Sequence, residues 1–162
     1  MRPFLTLHNP QKAKAYYDQG LWSAETFYGL MARHAAARPD APALRDGRAR
    51  LTWREMAAKV DAIAADLRGQ GLIAGDRVSL WASNRLEAIL VFIACSREGL
   101  ACNPSLHRTH TCAEVIHLLN QLEVAAFVTE DDWGADRADQ DLDAMLSDLP
   151  FLKVVYNLEK LP

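Results

Sequence analysis

Glycine is scarce where a nucleotide-binding protein would concentrate it. None of the eight glycines lies in a run of small and hydroxyl residues whose backbone N–H groups could surround a phosphate. Gly69, Gly71 and Gly75 miss the dinucleotide-binding spacing and follow a helical pattern where a strand is required, so they read as a helix stop and a turn. The three cysteines, Cys95, Cys102 and Cys112, are an odd number without Cys-x-x-Cys spacing, which suits reduced thiols rather than a disulfide framework. The longest apolar run, Leu86 to Cys95, contains Glu87 and is too short to span a bilayer. Met1 to Gln19 carries polar or charged residues every few positions and forms no secretory leader, so cytoplasmic residence is the expectation. Thirteen arginines and five lysines are scattered, and a net charge of -3 leaves no basic footprint, which argues against a nucleic-acid partner.

Reactive constellations are equally sparse. Ser79, Ser83, Ser96 and Ser105 all fall outside a Gly-x-Ser-x-Gly elbow. Cys95 sits in an apolar helical pattern and reads as a small core hydrophobe. Cys102, His107, His110 and Cys112 match no common zinc spacing, and no metal ligand is assigned. The acidic residues from Glu130 to Asp143 fall in a loop and an early helix turn, where a solvated face explains them better than paired catalytic carboxylates. No catalytic or cofactor-binding residue is assigned either.

What is present is an ordinary globular composition: 162 residues, half of them hydrophobic and 24% charged, enough for one domain with a continuous core. Residues 1–22 read as an extended, partly helical arm ending in Tyr16, Tyr17 and Trp22, with those rings strapped onto the domain. Residues 23–162 read as a single α/β domain. A helix is expected from Ser23 or Ala24 to Ala37, then a hairpin over Ala43 to Leu51 turning at Asp46-Gly47, whose glycine tolerates positive φ. Thr52 with Glu55 forms a capping box, and Met56, Val60, Ile63 and Leu67 lie on one face of the helix that follows. Val78 to Ala82 is a buried strand. Asn84 with Glu87 suggests a second capping box before a helix apolar around most of its circumference, buried on more than one side and stopped by Gly99. Leu100 to Cys102 is a short strand, Thr111 with Glu114 caps a further helix, and Ala125–Thr129 and Leu152–Tyr156 are strands flanking a helix over about 139–149. Alternation after residue 76 predicts a mostly parallel sheet flanked by helices, with right-handed crossovers and the hairpin set before it.

The order of these short motifs resembles the front end of the adenylate-forming ligases, the AMP-dependent acyl-CoA synthetases and their relatives. Leu51-Thr52-Trp53-Arg54-Glu55-Met56 matches the family's opening run, Gly75-Asp76-Arg77-Val78 its Gly-Asp-x-Val, and Asn84, Gly99 and Asn103-Pro104 follow in family order. The resemblance extends over about Tyr16 to Tyr156. Tyr17, Gly20 and Trp22 are similar to the branch that handles aryl acids and alicyclic acids such as cyclohexanecarboxylate; medium-chain fatty acids are the other substrate class. The resemblance implies an acid–CoA ligase using ATP, magnesium and coenzyme A, with a carboxylic acid as substrate. It also implies that the segment after Asn103-Pro104 borders the acyl pocket, which makes His107 the one candidate substrate-binding residue, without a catalytic role. The family's Ser/Thr/Gly-rich phosphate loop, later nucleotide-binding segments and C-terminal lysine domain are expected beyond Pro162. The chain is therefore expected to be an N-terminal portion, inactive alone, with the remainder of the ligase as its partner and with self-association through uncovered apolar surface. The alternative is a stand-alone, non-catalytic binding or assembly module on the same scaffold.

Overall fold

The computed structural model describes residues 9–104 and 107–162. The arm is helix α1 (Pro10–Asp18), started by Asn9, whose side chain accepts from Lys12 N, and by Pro10 at its first position. Beyond it, Trp22 packs against Tyr16 and Tyr17, with ring centroids 4.9 and 5.7 Å apart. All three rings remain substantially exposed. They cluster with one another at the end of the arm.

Helix α2 (Phe27–Ala37) starts later than its sequence pattern suggests, because Thr26 Oγ1 accepts from Gly29 N and sets the first turn there. Strands β1 (Pro42–Arg45) and β2 (Arg50–Thr52) form the expected antiparallel hairpin. Its connection differs from the expected tight Asp-Gly turn: Gly47 is not among the positive-φ glycines. The Asp46 carboxylate closes a longer loop by accepting from Arg48 N at 2.7 Å and Ala49 N at 2.8 Å.

Helix α3 (Trp53–Gly69) opens with the Thr52/Glu55 capping box, and Met56, Val60, Ile63 and Leu67 are all buried. Each of those side chains contributes about 2 kcal/mol on leaving water. Strand β3 (Arg77–Trp81) is buried throughout; helix α4 (Leu86–Glu98) ends at Gly99, whose φ of 70° is the left-handed stop. Strand β4 (Ala101–Asn103), helix α5 (Cys112–Gln121) with its Thr111/Glu114 box, and strand β5 (Val124–Thr129) follow. Helix α6 (Leu142–Leu146) is much shorter than expected, and strand β6 (Val154–Asn157) leads into a 3-10 turn at Leu158–Lys160.

The expected capping box at α4 does not form. Arg85 is the cap residue and makes no side-chain cap bond, while Glu87 pairs with Arg85. The free Leu86 amide is taken by Asp46 Oδ2 of the hairpin at 3.2 Å, a cap supplied from a distant part of the chain.

The main sheet has the order β4-β3-β5-β6 with every neighbouring pair parallel, as the alternation predicts. From β3 the chain moves one way through α4 to β4, then returns across β3 through α5 to β5. Right-handed connections place those helices on opposite faces. Val78, Leu80, Ala126 and Val128 accordingly join the core beneath α2, α3, α4 and the hairpin. Trp81, Val124 and Phe127 join a smaller core beneath α5 and α6. Helix α4 is buried on several sides, against α2, α3, β4 and the 3-10 turn, but not all round: Ile89 is exposed, and partly covered Phe92 meets exposed Phe27 at 5.1 Å. Together with Leu30 these residues form an open apolar strip. No helix among the described residues is long and apolar enough to cross a membrane.

Candidate functional site

In open parallel sheets the ligand-binding crevice lies outside the carboxyl ends of the strands, where the winding direction reverses. Here that reversal falls between β3 and β5. The loops after β3, β4 and β5 meet there, together with the 3-10 turn. Trp81, wholly buried at the end of β3, donates from Nε1 to the carbonyl of His107 at 2.9 Å and so ties the β4–α5 loop to the sheet. Gly134 lies so close that a Cβ would sit 2.6 Å from the Trp81 ring, and its φ of 146° also favours glycine. Ala135 N donates to His110 O, and Cys112 N to Asp136 Oδ1, joining the second and third loops.

A charged cage occupies the other side of the crevice. The largely buried Arg85 guanidinium faces Glu130 at 3.4 Å, Glu159 at 3.4 Å, Glu87 at 3.2 Å and Asp46 at 3.7 Å. Burial works against its charge, but Glu87, Glu159 and Glu130 outweigh it and raise its pKa. Burial would likewise raise Glu130; the Ser83 hydroxyl and backbone donors, helped by Arg85, hold it below the usual carboxylate range. Asp46 is lowered chiefly by the backbone donors of Arg48, Ala49 and Leu86. None of these long-range contacts has a local signal in the sequence; only the turn position of Asp46 hints at its use.

Several groups near this rim are buried without a hydrogen-bond partner among the described residues: Arg85 Nε, Glu87 Oε2, Thr129 Oγ1, Trp133 Nε1 and Arg137 Nε. Such atoms cost about 1–3 kcal/mol each. Their gathering at the carboxyl end makes that end the candidate functional rim.

His107 lies on the rim as an exposed residue whose ring is 6.0 Å from that of His110. The rest of the cysteine–histidine set is not brought together with it. Cys95 and Cys102 are free thiols in hydrogen-bond contact, and this contact, with burial, drives the Cys95 pKa well up; burial and Asp136 raise Cys112 to about 11. Neither shifted thiol is activated for nucleophilic attack. Among the described residues no three His, Cys, Asp or Glu gather to hold a metal ion. The starts of the longer helices facing the crevice do not fit a phosphate either. At α5 the first-turn donors are engaged by Thr111 and Glu114, and at α4 the Leu86 amide binds Asp46.

This scaffold has known counterparts. A family profile described as AMP-binding enzyme matches residues 31–161, and the chain belongs to that family of adenylate-forming ligases. It is 27% identical to enterobactin synthase component E of Escherichia coli over 90% of this chain, and 25% identical to the medium-chain fatty-acid–CoA ligase of the same organism over 94%. In both cases it spans only 27% of the relative's length. Mycobacterium smegmatis MbtA shares the fold with a TM-score of 0.75 at 24% identity, over 94% of this chain and 28% of MbtA. The N-terminal domain of Mycobacterium tuberculosis FACL13 does so with a TM-score of 0.70 at 19% identity, over 85% of this chain and 37% of that domain.

Proposed function

We propose that these residues are the N-terminal scaffold of an AMP-forming acid–CoA ligase and carry no adenylating activity by themselves. In the complete enzyme a carboxylate attacks the α-phosphorus of ATP, giving an acyl adenylate and releasing pyrophosphate. The coenzyme A thiol then displaces AMP to give the acyl-CoA. ATP, magnesium and coenzyme A belong to that complete enzyme, and an aryl, alicyclic or medium-chain carboxylic acid is its substrate. The observation that carries the reading is the family match over residues 31–161 on a chain that spans about a quarter of the two Escherichia coli proteins it resembles. Within this segment the helix starts at the crevice are occupied by its own side chains, so no step of the reaction is assigned to them.

Residues 23–162 act as one α/β unit with 1–22 as an arm, and the remainder of the ligase is the partner. The loop carrying His107 borders the acyl pocket, with the side chain exposed for contact with the acid or with neighbouring chain. The protein resides in the cytoplasm. Without that partner, the strip of Phe27, Leu30, Ile89 and Phe92 favours self-association. ATP–pyrophosphate exchange with purified residues 1–162 tests the central statement: no acid-dependent exchange is expected, and measurable exchange would overturn it.

A further inference from the structure

The hairpin carries an electrostatic conflict that nothing among the described residues relieves. Arg45 and Arg50 are direct cross-strand partners, both exposed, and neither meets a carboxylate within 4.0 Å among the described residues. Like charges placed directly opposite destabilise a two-stranded ribbon. Arg48 and Arg54, the neighbouring cations, are paired with Glu159 and Asp40. The two unpaired guanidiniums flank an open groove of about 380 Å³ whose other walls include Pro42, Ala43, Leu44 and Leu51.

Opposite charge is stored elsewhere. Seven aspartates fall between Asp131 and Asp148 against a single cation, Arg137. Asp139, Asp141, Asp143 and Asp148 are exposed, and none has a cationic partner among the described residues. The hairpin packs into the core on one face of the sheet, whereas α6 packs into the core on the other. One copy therefore cannot bring its own two surfaces together.

We propose that the Arg45/Arg50 face of the hairpin docks the acidic α6 segment of a second copy of this chain. The contact joins two different surfaces, so it is head-to-tail and leaves a free basic face at one end and a free acidic face at the other. Growth beyond a dimer follows unless the rotation closes a ring. Because the attraction is between exposed charges, salt weakens it. This is the opposite of an apolar contact through Phe27 and Phe92, which salting-out conditions strengthen.

Sedimentation velocity of the 162-residue chain at about 10 mM and about 1 M salt reads the difference, since the screening length falls from about 30 Å to about 3 Å. Concentration-dependent oligomers held by the charged contact are expected at low salt and are lost at high salt. Arg45→Glu/Arg50→Glu abolishes the low-salt oligomers, and so does Asp139→Arg/Asp143→Arg, with unchanged far-UV circular dichroism in each. An equimolar mixture of the two variants pairs the native hairpin of one with the native α6 of the other, and their two charge-reversed surfaces with each other, so mixed oligomers return at low salt. A monomer at low salt overturns the proposal, as does assembly that survives Arg45→Glu/Arg50→Glu or a mixture that stays monomeric. Assembly that strengthens with salt also overturns it while supporting the apolar strip, and neither result bears on pyrophosphate exchange.

Discussion

The two ends of the four-stranded sheet are built on different principles. At the amino end the charged groups satisfy backbone. Asp76 is buried, accepts from Ile73 N at 3.1 Å and pairs with Lys153 at 3.1 Å. Arg77 donates to the carbonyls of Leu122 at 2.7 Å and Glu123 at 2.9 Å, clamping the turn between α5 and β5. At the carboxyl end, charged groups mostly face other charged groups around Arg85, and several buried polar atoms have no partner among the described residues. A closed network holds the strands in register, whereas the opposite rim keeps polar capacity in reserve. The family-like Gly75-Asp76 motif therefore serves the folding of the sheet's amino end.

This contrast can be broken most severely at Asp76. Asp76→Ala removes the turn acceptor and leaves Lys153 without its carboxylate, and a loss of about 3 kcal/mol is expected in urea unfolding. A loss below about 1 kcal/mol would mean that the amino end is not the structural anchor. Gly134→Ala comes next: its methyl meets the immobile Trp81 ring at an unfavourable φ, which costs about 2 kcal/mol. Near-UV circular dichroism from Trp81 should change with it, and an unaltered tryptophan signal would contradict the packing assigned here.

The smallest effect is a pH dependence. Asp46 and Glu130 have folded pKa values below their unfolded ones, so they stabilise the protein above the usual carboxylate range near pH 4. That contribution is lost as pH falls through the folded values. The urea midpoint should drop below about pH 5, and Asp46→Asn/Glu130→Gln should flatten the drop. An equally steep drop in the double variant would assign acid sensitivity to other carboxylates.

Sequence legibility followed the range of the interaction. Thr52/Glu55 and Thr111/Glu114 cap as expected because both partners sit within one turn. Asn84/Glu87 has the same spacing yet fails, since Asp46 and Arg85 offer competing partners from the hairpin and the cap position itself. The apolar circumference of α4 signals its burial on several sides, but periodicity cannot say which neighbours cover a helix or that Ile89 is left open. His107 was reachable only through the resemblance; its carbonyl bond to Trp81 was not.

Local spacing alone thus determined the helices with box caps, the buried stripe of α3 and the parallel alternation, because those depend on contacts a few residues apart or on a recurring period; the family was read from the resemblance of its motifs in order. Tertiary structure decided the rest: the Arg85 cage, the Arg77 clamp, the hairpin's service as a helix cap, and the separation of basic and acidic surfaces onto opposite faces. Each of these joins segments tens of residues apart, and only the winding of the sheet brings such groups within bonding distance or holds them apart.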